Sequence, residues 1–480
     1  MRLLHAEWTR FRTVPGWVRG TAVAALLVAV FPVTGLGGGP APDRKPVPAG
    51  PDGGPVVDAF RFVHRPLAGD GRITVAVTSL VSAGDVPWAR AGLIVRAGTQ
   101  PGSRYAAVMV TAAHGVRMQH DHVHDRAGSP ARARWLRLTR SGDTVTGEAS
   151  TDATAWTRIG TVTLPGLPRT VEAGLFVACP QRTRGLGTAP DAATATFDGP
   201  DLDGGWPDGP WADDQVGADT ATFSGYPRGA TGGATPTETG FTVTGAGDLA
   251  PATRADLPLG IAASDLLLGT FPASIVVVVV ATLMVTGEYR YGLIRTTLAA
   301  GPRRGRVLVA RALVAGAVTF VTNLGAVAVA LPVWLRVVRG LGAYVFPTPP
   351  GVLLRAGVGT AAVLAVMAVF AVGVAAVVRR GAVAVTVVVG TLVLPYLLAL
   401  TPFTPPAVAQ WTTRVTPTAA LAVQQTLTRY PHVDGVYTPA YGYYPLPPWA
   451  GFAVLCACAA ATLALAVVLF SRRDGTPRSA

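Results

Sequence analysis

Lysine is nearly missing from this sequence: Lys45 is the one lysine among 40 basic residues in a chain of 480. A Walker-type nucleotide site needs Gly-x-x-x-x-Gly-Lys-Ser/Thr. Lys45 is followed by Pro46, so the chain has no such site of its own. Cysteine is scarce as well, with three residues. Cys179 stands alone in the central region, which excludes a disulfide within it. Cys456 and Cys458 lie two apart in the last apolar run, where a helix points them in different directions. They read as small buried apolar side chains. Charge is thin, at 14% of residues, against roughly a quarter in soluble domains. With half the chain apolar and a mean hydropathy of +0.40, an ordinary soluble protein is excluded. Disorder over most of the chain is excluded too, because long apolar runs leave ample surface to bury.

What charge there is falls unevenly. Residues 41–257 hold 20 basic and 22 acidic residues, whereas the rest holds 20 arginines and only 5 acids. The basic excess therefore sits with the apolar runs. That pattern belongs to a membrane protein with basic cytoplasmic loops, and it argues against a nucleic-acid partner, whose site would be a basic stripe on a folded domain. The abundance of Ala, Val, Gly, Pro and Arg fits a high-GC bacterial genome.

Six apolar runs have the roughly 20 residues needed to cross a bilayer: 17–36, 261–285, 307–335, 352–378, 382–400 and 449–470. The arginines alternate with them. Arg2, Arg10, Arg12, Arg19, Arg290, Arg295, Arg303, Arg304, Arg306, Arg311, Arg379, Arg380, Arg472, Arg473 and Arg478 fall on one side; Arg336, Arg339, Arg355, Arg414 and Arg429 fall on the other. The positive-inside rule then predicts a bacterial plasma-membrane protein with both termini cytoplasmic and residues 39–257 outside. A cleaved signal peptide fits the first run poorly, since no small-x-small site follows it. The fold class expected is a polytopic α-helical membrane protein with six transmembrane helices. An all-β sandwich would be inserted between helices 1 and 2.

Within that frame, residues 1–16 predict a short amphipathic helix at the inner membrane surface, with Leu4, Trp8 and Phe11 at helical spacing. Residues 17–38 form the first span and 39–55 a Gly/Pro linker. From 56 to 199 the period changes to 2, with strands at 72–81, 91–96, 105–111, 115–119, 134–139, 144–149, 157–164 and 171–178. Short strands at near-regular spacing indicate a sandwich. Residues 200–257 read as one more β element, at 240–245, and a juxtamembrane linker. Residues 258–480 carry helices 2–6, with a cytoplasmic loop at 286–311.

Chemistry-bearing clusters are few. The outer region has three glutamates, Glu148, Glu172 and Glu238, and no pair placed to flank a glycosidic bond. His120, His122 and His124 would share one face of a strand and suit an imidazole-loving metal. No further ligand group stands at metal-like spacing, so no metal site is expected, and an exposed strand end is the favoured account. Arg117 and Trp135, with those histidines, are the residues for lining a carbohydrate groove. The apolar runs hold almost no ionisable groups, which weighs against a secondary transporter.

Five stretches resemble two known families. Ala91–Arg96, Trp135–Gly142 and Ser150-Thr151-Asp152 with Trp156 resemble concanavalin-like (laminin-G/lectin-glucanase) sandwiches, many of which bind carbohydrate. The run from Thr286 to Arg306 (TGEYRYGLIRTTLAAGPRRGR) resembles the coupling-helix loop of bacterial type-2 ABC transporter permeases. His5–Thr13 (HAEWTRFRT) resembles that family's amino-terminal elbow helix. The second resemblance covers residues 1–38 and 258–480. It departs from the family at Pro15, where a basic residue is usual, and in the large insert after the first span. It implies the permease subunit of an exporter, paired with itself or a sister permease in the lipid bilayer. A separate ABC ATPase subunit would supply ATP and magnesium and dock on Glu288, Tyr289, Arg290, Tyr291 and Arg295. The permease itself would be no enzyme and carry no cofactor. The alternative is a membrane-anchored glycan-binding or sensor protein working through the sandwich.

Overall fold

The computed structural model describes residues 2–32, 45–128, 133–185, 187–290, 304–401 and 404–472. Two compact units emerge. One is helical, from Met1–Ala41, Gly260–Thr428 and Tyr437–Ala480; the other is β, from Pro42–Leu259 together with Arg429–Val436.

The β unit contains two seven-stranded antiparallel sheets. The first runs in the order β10 (Thr157–Thr163), β9 (Thr144–Ser150), β8 (Trp135–Ser141), β3 (Gly71–Ser82), β14 (Ala193–Gly204), β17 (Gly240–Gly245), β16 (Gly233–Pro236). The second is β15 (Ala212–Val216), β2 (Phe60–Ala68), β11 (Thr170–Ala178), β4 (Arg90–Arg96), β5 (Tyr105–Thr111), β6 (Gly115–His120), β7 (His124–Ala127). Ile73, Val75, Leu136, Leu138 and Phe197 of the first sheet pack on Val63, Leu93, Val95, Leu175 and Val177 of the second. The alternation of apolar and polar residues along each strand is what presents one face to this core.

The second sheet is covered on its other face too. Phe60, Phe62, Ile94, Tyr105, Met109 and Phe176 form a second cluster there with Leu249. Leu249 belongs to β18 (Leu249–Pro251), which pairs with β1 (Val56–Asp58); a further pair joins β12 (Arg182–Arg184) and β13 (Gly187–Ala189). All seven residues of β4 are consequently buried. Neighbouring strands close in so tightly that a Cβ on Gly92 or Gly174 would overlap the carbonyl oxygens of Val108 and Val63. Two expectations need correcting. Residues 200–257 hold more than the one β element expected at 240–245, since they supply β15, β16 and β18 as well as β17. Part of the expected linker, residues 45–55, also folds onto the β unit, with Val56 N–H donating to the Pro48 carbonyl.

The helical unit contains α1 (Arg2–Thr13), α2 (Pro15–Val30), α3 (Thr270–Arg290), α4 (Arg304–Gly340), α5 (Pro350–Val378), α6 (Gly381–Leu400), α7 (Pro406–Val415) and α8 (Pro448–Arg472). Five of these, α3, α4, α5, α6 and α8, contain stretches long and apolar enough to cross a membrane, with mean hydropathies of 1.9 to 2.8. The pair α1 and α2 bends by 82° at its break and would make a sixth span if taken as one. The cause of the bend is local. Pro15 disfavours helical geometry at the residue before it, and Val14 is extended, with φ −99° and ψ 100°.

α5 is the centre of the unit, and small residues let its neighbours approach. A Cβ on Gly373 would lie 2.7 Å from the Thr462 hydroxyl of α8, and one on Gly359 would meet the Val423 side chain. Val423 belongs to a 3₁₀ helix, Pro417–Gln424, whose eight residues are all buried. Sequence reasoning leaves this stretch in a plain connection between the last two spans. In the fold it packs into the helices instead.

Candidate functional site

Helix α1 presents two faces. Leu4 and Trp8 are 41% and 40% exposed, while Phe11 is turned inward at 5% and Glu7 at 7%. The expected Leu4–Trp8–Phe11 stripe is therefore split, with Phe11 part of the helical core. Glu7 is the only acid among the first 42 residues. Its two carboxylate oxygens accept 3.1 Å hydrogen bonds from Nε and Nη2 of Arg311 in α4. The third guanidinium nitrogen, Nη1, donates to the Met284 carbonyl of α3 at 3.3 Å. A forked, charge-assisted pair is among the stronger hydrogen-bonded contacts available to side chains. Here it joins three helices. Glu288, Tyr289 and Arg290 form the last turn of α3, one turn beyond Met284. Tyr291 and Arg295, expected to complete the docking surface, lie outside the described residues.

Deeper in the helical unit the links are uncharged. The buried Gln424 side chain donates from Nε2 to the hydroxyls of Thr270, at 2.8 Å, and Thr360, at 2.9 Å. This ties the 3₁₀ helix to α5 and to the start of α3. Thr270 and Thr360 in turn donate to the carbonyls of Leu267 and Ala356.

The β unit carries its polar groups between the second sheet and the strands that cover it. Arg96 reaches Asp58 with two nitrogens, at 2.9 and 3.3 Å, and also donates to the Gly98 and Gln100 carbonyls. The Gly102 N–H adds a 2.6 Å bond to Asp58. His122 Nε2 lies 3.6 Å from the same carboxylate, and its ring meets Tyr105 edge-on. Burial acts to raise the Asp58 pKa, but Arg96 and His122 outweigh it and hold the carboxyl well below the usual range. Beside this group, Arg90 binds Gln119 at 3.0 Å and Asp248 at 2.8 Å. Gln119 passes the chain on to Asp125, which also takes Arg117.

The distant segment Arg429–Val436 belongs to this layer. His432 Nε2 lies 3.4 Å from the His122 carbonyl, and burial lowers the His432 pKa. Val433, Asp434 and Gly435 line a small cleft together with Asp248, Asp256, Gln181, Thr188 and Ser224. Burial pushes Asp256 up to about 6, and raises Asp248 and Asp434. Asp256 accepts from the Thr253 N–H and hydroxyl at 2.8 and 2.7 Å, so it already serves as a structural acceptor.

The residues picked out by sequence do not assemble as expected. His120 and His124 are not alternate residues of one strand; they face each other across the β6–β7 hairpin, rings stacked at 4.4 Å. Asp121 and His122 make the turn with φ of 48° and 65°. That left-handed geometry, uncommon outside glycine, sends His122 inward to Asp58. No group of three or more His, Cys, Asp or Glu side chains is arranged to hold a metal among the described residues. Arg117 and Trp135 do not share a groove either. Their chain neighbours Val116, Met118 and Leu136 point into the core between the sheets, so the two side chains stand on opposite outer faces. Trp156, part of the concanavalin-like resemblance, carries Arg137 on its ring at 3.7 Å.

No family model and no curated protein matches this chain. Solved structures do show similarity to parts of it. One is a Saccharomyces cerevisiae protein of unknown function, 16% identical, covering 35% of this chain and 85% of its own, with a TM-score of 0.23. Another is SCP-B, a peptidase of the eqolisin family in complex with the tripeptide Ala-Ile-His, 8% identical over 40% of this chain and 98% of its own, TM-score 0.24. Scytalido-glutamic peptidase bound to a peptide-based transition-state analogue is similar over the same shares, at 9% identity and a TM-score of 0.23. Likeness at this level carries no argument about activity.

Proposed function

We propose that this chain is the permease subunit of an ABC exporter, spanning the membrane six times with both termini cytoplasmic and the β unit inserted outside between the first two spans. A separate ATPase subunit docks on the loop after α3 and drives it. The observation that carries this reading is the Glu7–Arg311 pair. The elbow-like stretch His5–Thr13 and the coupling-like stretch that ends before Arg311 lie some three hundred residues apart in sequence. In three dimensions a buried ion pair joins Glu7 of the first stretch to Arg311, five residues past the end of the second at Arg306. The five long apolar helices support a multi-pass subunit, and the bent α1–α2 pair is the candidate for its sixth span. The missing Walker motif fits a nucleotide site supplied by a partner.

The test is capture of the tagged full chain, in detergent, from its own host, with mass spectrometry and ATPase assay of what accompanies it. A P-loop ATPase should co-purify and be lost when Glu288 and Arg290 are both replaced by alanine. Recovery of the chain without an ATPase, while other ABC complexes of the host stay intact, sinks the reading. The β unit would then become the working part, to be screened against cell-wall glycans.

A further inference from the structure

Among the described residues, the three guanidinium nitrogens of Arg311 reach two other helices. Two bind Glu7 of α1 and the third binds the Met284 carbonyl of α3. The pair is sealed, with side-chain exposures of 5% and 9%, so solvent offers neither group an alternative partner. Arg311 itself stands in the second turn of α4, and Met284 lies one turn before Glu288. A carbonyl of α3 held in this way cannot tilt without carrying the guanidinium with it. The guanidinium cannot move without dragging α1.

We propose that Arg311 is a positioning residue that makes the end of α3, the start of α4 and the amphipathic helix α1 respond as one body when the ATPase acts on the loop between α3 and α4. This rests on the permease reading above and adds to it a route: force applied beyond Glu288 reaches α1 through the Met284 carbonyl, Arg311 and Glu7. Physical continuity of this kind, through hydrogen-bonded groups fixed to rigid helices, is what coupling between separated sites requires. A lysine at position 311 would keep the charge but lose the fork, because an ammonium cannot satisfy a carboxylate bidentately while also holding a carbonyl on the far side. Glu7→Gln is milder. It weakens the link to α1 and leaves the bond to Met284 in place.

The experiment is hydrogen–deuterium exchange on the full chain co-purified with its ATPase, with and without a non-hydrolysable ATP analogue, in wild type, E7Q and R311K. In wild type the analogue should change exchange in residues 2–13 together with residues 304–311. In E7Q the response of residues 2–13 should shrink by about tenfold, within the usual span of coupling strengths, while that of 304–311 persists. R311K should lose the response in 2–13 and retain capture of the ATPase. A wild-type complex whose α1 does not respond to the analogue overturns the proposal and leaves the permease reading standing. So does a response in residues 2–13 that survives at full size in either variant. A wild-type chain that brings down no ATPase overturns both, and is recognised before any analogue is added.

Discussion

Asp58, Arg90, Arg96 and His122 are all sealed from solvent in the β unit, whereas comparable depth in the helical unit is occupied by threonines and amides. The difference follows from where each backbone spends its hydrogen bonds. A strand pairs with its neighbours and leaves the face of the sheet to side chains, so a polar group there must find a side-chain or loop partner. Arg96 finds Asp58 and two loop carbonyls. A helix keeps its carbonyls along its own surface, one turn below each side chain. Thr286, Thr360 and Thr462 fold their hydroxyls onto the carbonyls of Thr282, Ala356 and Cys458, at 3.0, 2.7 and 2.9 Å. Neutral hydroxyls suit apolar surroundings, and these three are satisfied without leaving their helices, while the buried Thr282 hydroxyl has no partner among the described residues. Glu7–Arg311 is the exception among the described residues: Arg311 sits near the start of α4 and Met284 near the end of α3, with Glu7 midway along the short α1.

If charge is structural in the β unit, breaking it there should be the most damaging change. Asp58→Asn leaves the Arg96 guanidinium buried without a counter-charge, a loss of about 3–5 kcal/mol. Hydrogen exchange of the full chain should show it as a steep loss of protection in β4 and β5, with α5 unaffected. Replacing both partners, Asp58→Leu with Arg96→Met, should cost less than the single change, because no orphan charge remains. A single Asp58→Asn variant within about 1 kcal/mol of wild type, well short of that penalty, would end the claim that this layer is held by charge.

The sequence reveals these two regimes unequally. Apolar run length places four of the five long helices within a few residues, whereas the run 261–285 begins nine residues before α3, over a 3₁₀ turn at Ala263–Leu267. Strands such as Tyr105–Thr111 and Gly240–Gly245 show in their period-2 pattern, but β2 and β14 do not. β2 is covered on both faces and contains Pro66, which blurs alternation and argues against a central strand. β14 turns Ala193 and Ala195 inward, and alanine is a faint core signal. The histidine cluster misleads for a different reason. A hairpin with two left-handed non-glycine residues has no mark in the sequence, so alternation is assumed where a turn exists. The pair Glu7–Arg311 leaves a trace only in hindsight, as a lone acid in a basic amino terminus and a lone cation inside an apolar run.

The cleft of the β unit gives a finer test, through pH. Asp256 has a folded value of about 6, above its ordinary 3.8, so the folded form holds the proton more tightly than the unfolded one. Its contribution to stability is full below about pH 4 and is lost as pH rises through 6. Asp248 and Asp434 shift in the same direction, and His432 opposes them by shifting down. Asp256→Asn isolates the one group. It should stabilise the β unit at pH 7 by about 1–2 kcal/mol, discounted because the carboxyl keeps some contact with solvent. The gain should vanish by pH 4. Thermal unfolding at the two pH values reads it directly, and an equal effect at both would show that the carboxyl is not titrating in the fold.

The smallest effect is expected where the helical unit is most polar. Gln424→Leu removes both donors that reach Thr270 and Thr360 and keeps the volume close. Each hydroxyl retains its bond to its own backbone carbonyl, so neither is left without an acceptor. Side-chain hydrogen bonds between membrane helices average about 0.6 kcal/mol, and the loss should be near 1 kcal/mol for the pair. Thermal unfolding in detergent, followed by helical signal, would measure it. A loss as large as that of Asp58→Asn would mean that Gln424 anchors the 3₁₀ helix in the way Asp58 anchors Arg96. The contrast between a sheet that depends on side-chain charge and helices that satisfy themselves would then fail at its polar centre. A value under about 1 kcal/mol, in keeping with that membrane average, would show that Pro417–Gln424 is held mainly by its apolar fit, above all by Val423 against the bare backbone at Gly359.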